Sequence, residues 1–248
     1  MAVSSFSITP ITLQPKLETI HGLGLVLPRY SINSHFRKNL TGVSLRRNTV
    51  VVSAITGASG TGTEKESVDL LDTVKILDLK GNEIPISDLW KDRKAVVAFA
   101  RHFGCVLCRK RAAYLAAKKD VMDASGVALV LIGPGSIEQA NTFVEQTKFE
   151  GEVYADPDHA SYEALKFVSG VSVTFTPKAA LKIIESYMEG YRQDWKLSFM
   201  KDTVERGGWQ QGGILVAGPG KDNIFYIRKD KEAGDDPPIE EILKACCA

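Results

Sequence analysis

The sequence predicts an α/β fold: a central mixed sheet flanked by helices, with a helical insertion before the last two strands. Three observations carry this expectation. Ala95-Val-Val-Ala-Phe-Ala100 and Val127-Ala-Leu-Val-Leu-Ile132 are continuous apolar runs of strand length, as strands buried on both faces require. The residues between them favour helix, and a β-helix-β order implies parallel strands with a right-handed crossover. At the junction of the first run and that helix stand Cys105 and Cys108, two cysteines separated by two residues.

The remaining elements follow along the chain. Val74 to Leu79 has a strand-like pattern, Gly81-Asn82 supplies a turn, and Glu83 to Ile86 returns as a short extended piece, after which Ser87 reads as a helix cap. From Cys105 to about Ala124 one helix is expected, with Cys108, Ala112, Leu115 and Met122 near one face, turned to the sheet. Gly133-Pro134-Gly135 stops the second buried strand, and Ser136 caps a helix to about Lys148. Glu152 to Ala155 is a third short strand, followed by a helix near His159 to Phe167. Thr176-Pro177 opens a further helix with Leu181, Ile184, Met188, Tyr191 and Trp195 on one stripe, read as the insertion. Gly213 to Ala217 and Asn223 to Ile227 form an antiparallel pair, and a helix from about Pro238 to Ala245 closes the chain.

The first 53 residues carry six Lys or Arg against one acid, with seven Ser and five Thr. This is the composition of an organelle transit peptide, and a hydroxyl-rich start without early Arg favours the chloroplast. Residues 1–54 are therefore read as a plastid transit peptide ending near Val-Val-Ser-Ala54, residues 55–69 as a flexible leader, and residues 70–248 as the folded domain, located in the stroma. The body beyond residue 53 is mildly acidic, which excludes a phosphate-neutralising surface, so no nucleic acid partner is expected. No apolar run approaches the roughly 20 residues needed to cross a bilayer, and no membrane partner is expected.

A Cys-x-x-Cys at a strand–helix junction has a definite chemical use. The first helical turn presents amides and a positive dipole end that stabilise a thiolate, and Arg101, Arg109, Lys110 and Arg111 add positive charge. The spacing puts Cys105 at the exposed helix start, as nucleophile, and Cys108 one turn inward, as resolving thiol. Inert thiols and half a zinc site are the competing readings. Zinc would need a second ligand pair at ligand spacing, and Cys246-Cys247 are adjacent, while His102 and His159 lack a ligand motif. No metal or cofactor is expected. His102 reads either as a proton acceptor for the thiols or as packing at the strand end. Cys246 and Cys247 read as exposed tail thiols, or else as an auxiliary resolving pair.

Ala95-Val-Val-Ala-Phe-Ala-Arg-His-Phe-Gly-Cys105-Val-Leu-Cys108-Arg109, together with Val74 to Leu89, Gln211 to Gly220 and Ala233 to Ile239, resembles the peroxiredoxin-like proteins with an AhpC/TSA antioxidant-enzyme domain. The resemblance covers about residues 70 to 244. It implies a thioredoxin-like fold and thiol-dependent redox chemistry, with Cys105, Cys108, Arg109 and His102 as the site. It also implies a peroxide or disulfide substrate and thioredoxin or a similar thiol donor as partner. Two departures stand out. A peroxiredoxin proper carries Pro-x-x-x-Thr/Ser-x-x-Cys, and neither cysteine frame supplies the Thr or Ser, since Cys105 gives His102 and Cys108 gives Cys105. Thioredoxin keeps a Pro ahead of the strand corresponding to Ile214 to Ala217, where Gly212-Gly213 stands here. Two uses remain open at this level: a thiol oxidoreductase, or a non-enzymatic redox sensor that docks through the helix around Leu181 to Trp195.

Overall fold

The computed structural model describes residues 70–247. The transit peptide and leader expected over residues 1–69 lie outside the described residues. A seven-stranded sheet forms the centre, in the order β2-β1-β5-β4-β3-β6-β7. The strands are β1 (Lys75–Leu77), β2 (Glu83–Pro85), β3 (Lys94–Phe99), β4 (Val127–Gly133), β5 (Glu152–Ala155), β6 (Gly213–Ala217) and β7 (Ile224–Lys229). β3 and β4 run parallel with Val97 opposite Val130, β4 and β5 are also parallel, and β6 lies antiparallel to β3. The sheet is mixed, as expected.

The pleat of β3 explains why its sequence is apolar throughout. Val96 and Ala98 face one core layer, with the helices that follow β3 and β4, while Ala95, Val97 and Phe99 face the other, against Trp90 and Tyr162. All six residues from Ala95 to Ala100 are at most 2% exposed.

Eight α-helices are described: α1 (Val106–Ala116), α2 (Lys119–Ala124), α3 (Ile137–Thr147), α4 (Ala160–Ala164), α5 (Val171–Thr174), α6 (Pro177–Met188), α7 (Trp195–Ser198) and α8 (Ile239–Cys247). Ser136 caps α3 as the sequence indicates, in a reciprocal capping box with Gln139. Thr176 caps α6 by accepting from the Ala179 amide, with Pro177 at the first helical position.

Four expectations need correction. The helix expected from Cys105 to Ala124 is two helices, broken at Ala117-Lys118, because α1 packs on α6 whereas α2 packs on β4 and α8. Met122 still reaches the core. Ser87 caps no helix; it sits inside a 3-10 turn, Ile86–Leu89, entered from Pro85. The helix after β5 keeps only Ala160–Ala164, since His159 at φ 59° and Lys166 at φ 54° take the left-handed conformation at its two ends. The stripe from Leu181 to Trp195 is not one helix face: α6 stops at Met188, Gly190 turns the chain at φ 96°, and Trp195 starts α7. Leu181, Ile184 and Met188 face solvent, while Tyr191 packs at the edge of the core.

Arg111 anchors α1 to the sheet. Its guanidinium is 4% exposed and pairs with Asp230 at the end of β7 (2.7 Å) and with Asp236 (2.5 Å). It also donates to the carbonyls of Phe99 and Gly213, the last residue of β3 and the first of β6. Burial opposes its charge, but Asp236 and Asp230 outweigh burial and hold its pKa well above the ordinary value. Burial likewise pushes Asp230 up to about 6, against the attraction of Arg111, so Asp230 is mostly ionised at pH 7 and loses its charge as pH falls through 6. Replacing Arg111→Ala leaves Asp230 buried without its cation. Urea denaturation should show a loss of about 3–5 kcal/mol, against a loss within about 0.5 kcal/mol for the exposed Lys80→Ala.

Candidate active site

The site forms where β3 delivers its chain into α1. Residues 101–104 make the connection, and Cys105 is the N-cap of α1, with its carbonyl accepting from the Arg109 amide at 3.0 Å. Cys108 lies one turn on, where its Sγ accepts from the backbone N–H of Arg101 at 3.2 Å. Both cysteines are free thiols. The structure thus brings Cys105, Cys108, Arg101 and His102 together.

Cys105 is not at an exposed helix start. It is 2% exposed and Cys108 6%, because the segment between β5 and β6 folds over them. Gln193 Oε1 accepts from the Val106 amide at 2.8 Å and so occupies part of the helix end. Thr174, Gly208 and Gln210 hold Arg101 from the same side: Nη2 donates to Thr174 Oγ1 (3.3 Å) and the Gly208 carbonyl (2.9 Å), and Nε to the Gln210 carbonyl (3.2 Å). The remaining nitrogen, Nη1, lies 3.7 Å from Cys105 Sγ.

These contacts separate the two thiols electrostatically. A hydrogen bond from the Cys108 thiol is the largest influence on Cys105 and lowers its pKa well below the ordinary value; burial opposes it, and the Arg101 charge lowers it further. Cys108 moves the other way, raised by burial first and then by donating to a neighbour that is itself an anion. The proton shared by the pair rests on Cys108.

His102 is 6% exposed, and burial lowers its pKa to about 4. A ring with that pKa is neutral near pH 7, so the cation facing Cys105 is Arg101 and not His102. Its Nδ1 makes no hydrogen bond among the described residues. Arg109 makes no hydrogen bond to either sulfur among the described residues, although its charge interacts with both: it donates to the Phe103 carbonyl and to Gln146, and lies 3.5 Å from Asp194. It braces the loop that carries Cys105.

Sequence reasoning missed Thr174, Gln193 and Gln210, which reach the site from over 60 residues away and carry no local signal. Arg101 had one: a charged residue directly after a strand buried on both faces. Gly212 shows why no Pro precedes β6 here, since a Cβ on it would stand 1.9 Å from the Phe99 carbonyl oxygen. Cys246 is fully buried and not a tail thiol, with its Sγ 3.1 Å from Cys247 Sγ. The Cys246 carbonyl accepts from Lys94 at the opposite end of β3 from Cys105. A six-residue strand at about 3.3 Å per residue puts the two pairs on the order of 20 Å apart. That separation removes Cys246 and Cys247 as resolving partners within one chain.

The fold and site define a thioredoxin-like protein with two reduced cysteines at the strand–helix junction. Structural likeness agrees: reduced Prx3 of Vibrio vulnificus in complex with H2O2 superposes with a TM-score of 0.50 at 15% identity, over 71% of this chain and 95% of that one. By sequence, the chain is 86% identical over 246 residues to the thioredoxin-like protein AAED1, chloroplastic, of Arabidopsis thaliana, covering 99% of this chain and 98% of that one. It is 30% identical over 177 residues to human peroxiredoxin-like 2C, covering 68% and 75%. The family model for the AhpC/TSA antioxidant enzyme matches residues 114–232, a span that begins after the two cysteines. The chain belongs to the peroxiredoxin-like AhpC/TSA family, and the family supports a redox oxidoreductase role. It is a plastid protein, in line with its N-terminal composition and its chloroplastic relative.

Iodoacetamide alkylation of the reduced protein, followed by peptide mass spectrometry across pH, should label Cys105 faster than Cys108 at pH 7. The Cys105 rate should fall only as pH drops through its depressed pKa, where the thiolate is lost. In Arg101→Gln the midpoint for Cys105 should move to higher pH. An unmoved midpoint would show that Arg101 serves only to hold the insertion.

Proposed function

We propose that the protein is a thiol-dependent reductase in which Cys105 attacks and Cys108 resolves. The observation that carries this reading is the Cys105 sulfur at the N-cap of α1, between the Arg101 guanidinium and the Cys108 thiol. With a hydroperoxide, the Cys105 thiolate takes the distal oxygen, the O–O bond breaks, and the departing alkoxide is protonated to the alcohol. Cys105 is left as a sulfenic acid. Cys108 then attacks that sulfur, an S–S bond forms and water leaves. A thioredoxin-like dithiol donor returns two electrons and two protons, and its own cysteines become the disulfide. With a disulfide substrate the first product is a mixed disulfide, resolved by Cys108 in the same way.

Arg101 stabilises the Cys105 anion, Arg109 and His102 position the loop before it, and the insertion excludes water. Because Cys105 is almost fully buried, each turnover requires the insertion to move aside. Residues 1–54 are proposed to be removed on import into the stroma, leaving 55–69 as a leader.

Two measurements test this reading. In Cys108→Ser, treatment with cumene hydroperoxide should trap Cys105 as a sulfenic acid, detected with dimedone, and turnover with thioredoxin and its reductase should stop. In Cys105→Ser, the first step should fall by at least about 10²-fold. Retention of turnover by Cys105→Ser with loss in Cys108→Ser would reverse the roles. N-terminal sequencing of the organellar protein should begin near Ile55, and recovery of Met1 or Ala2 would refute cleavage.

A further inference from the structure

The second pair of cysteines lies outside the site described above. Cys246 and Cys247 are adjacent in the last turn of α8, with their sulfurs in direct contact at 3.1 Å. They stand at the far end of β3, on the order of 20 Å from Cys105, where the Cys246 carbonyl accepts from Lys94 at 3.2 Å. Both are free thiols, and among the described residues no group of three or more His, Cys, Asp or Glu could hold a metal ion. The last turn of α8 thus carries a dithiol and not part of a ligand cluster.

The two thiols differ in access and in their hold on a proton. Cys246 is fully buried, whereas Cys247 is partly exposed and is the one a small oxidant meets first. Burial, and after it the contact with Cys247, push the Cys246 thiol up to about 12, so it keeps its proton at neutral pH. Its Sγ lies 3.8 Å from the Leu243 carbonyl, the acceptor for that proton. Lys94 sets a cation beside the pair, which favours a thiolate there.

Neighbouring Cα atoms stand about 3.8 Å apart across a trans peptide, less than the roughly 4.4–6.8 Å that disulfides usually span. A bond between adjacent cysteines is accordingly strained and easily reduced, which is the character of a reversible disulfide. A helix also turns about 100° per residue, so side chains at i and i+1 diverge. Closing the bond must take Cys246 and Cys247 out of helical geometry. Ile242 and Cys246 are the buried residues of α8, which packs on β3, β6, β7 and α2. One of its two anchors in the core therefore moves when the bond closes.

We propose that Cys246 and Cys247 form a second redox site, which a hydroperoxide closes into a vicinal disulfide that releases the last turn of α8 from the sheet. The Cys247 thiolate takes the distal oxygen, the O–O bond breaks, and the departing alkoxide is protonated to the alcohol. Cys246 attacks the resulting sulfenic acid, an S–S bond forms, and hydroxide leaves with the Cys246 proton as water. Two thiols and one hydroperoxide give one disulfide, one alcohol and one water. Two molecules of a monothiol, or one dithiol, return two electrons and two protons and become a disulfide themselves. The inference does not depend on the roles assigned to Cys105 and Cys108.

The test compares the wild-type chain with C105S/C108S, C246S and C247S, each reduced and then treated with a small excess of cumene hydroperoxide. After labelling with N-ethylmaleimide in denaturant and digestion at Glu, the peptide of residues 242–248 should be unlabelled and lighter by two hydrogens in both wild type and C105S/C108S. Incubation with about 1 mM glutathione should restore both labelling sites. Amides of residues 243–247 should exchange with deuterium at least about tenfold faster in the oxidised protein and slow again on reduction. C247S, which keeps the buried thiol, should show no such change. In C246S, dimedone should trap Cys247 as a sulfenic acid. A fully labelled pair after oxidation, unchanged exchange in α8, or a disulfide that forms in wild type and not in C105S/C108S overturns the proposal. So does a covalent dimer whose yield rises with protein concentration and which C247S abolishes, because the bond would then join two chains.

Discussion

The rest of the molecule depends on one buried cation. Arg111 projects from α1 into the place where β3 ends, β6 begins and β7 finishes, and there it meets two carboxylates and two strand-end carbonyls. Helix packing through Ala112 and Leu115 would hold α1 on the sheet without specifying its height along the strands, because small and aliphatic contacts tolerate sliding. A guanidinium with several fixed acceptors does not. The height matters because it decides whether the N-cap of α1 falls beside the end of β3. That placement gives the Cys108 sulfur an amide donor from Arg101 and leaves Cys105 facing the guanidinium.

A second arginine uses the same physics for a different end. Arg101 is also buried, but its fixed partners are carbonyls and a hydroxyl from the insertion, with no carboxylate among them. Neutral acceptors satisfy its N–H groups and leave its charge uncompensated, so the nearby thiol is the group that gains. Burial by itself would raise both cysteines, and it does raise Cys108. Cys105 escapes because two hydrogen-bonding groups and a cation converge on one sulfur in a low-dielectric setting, where such contacts are strengthened. Sealing the site is thus part of activating it. The same seal keeps solvent and substrate out until the insertion moves.

Much of the fold was legible because it follows from local periodicity. β3 and β4 were visible as uninterrupted apolar runs, and the start of α3 as Ser136 after Gly133-Pro134-Gly135. The two cysteines were visible from spacing alone. What stayed hidden was set by distant contacts. Nothing in Ala117-Lys118 signals a break, since both residues favour helix and the break answers to the packing of α2 on β4 and α8. Nothing local to Asp230 or Asp236 marks either as a partner of Arg111. The apolar stripe on α6 has the periodicity of a buried face and yet meets solvent, because periodicity reports that a face is apolar and not what covers it.

That last point bears on why the insertion has its composition. Its inner residues are committed to polar work: Thr174 and Gln210 hold Arg101, Gln193 caps α1, and Asp194 reaches Gly104 and Arg109. Its apolar anchors are Ala179 and Leu197, with Ile183, Tyr187, Tyr191 and Met200 packed at the edge of the core. The directional bonds that add to this packing can break one at a time, which suits a cover that must open over a buried nucleophile.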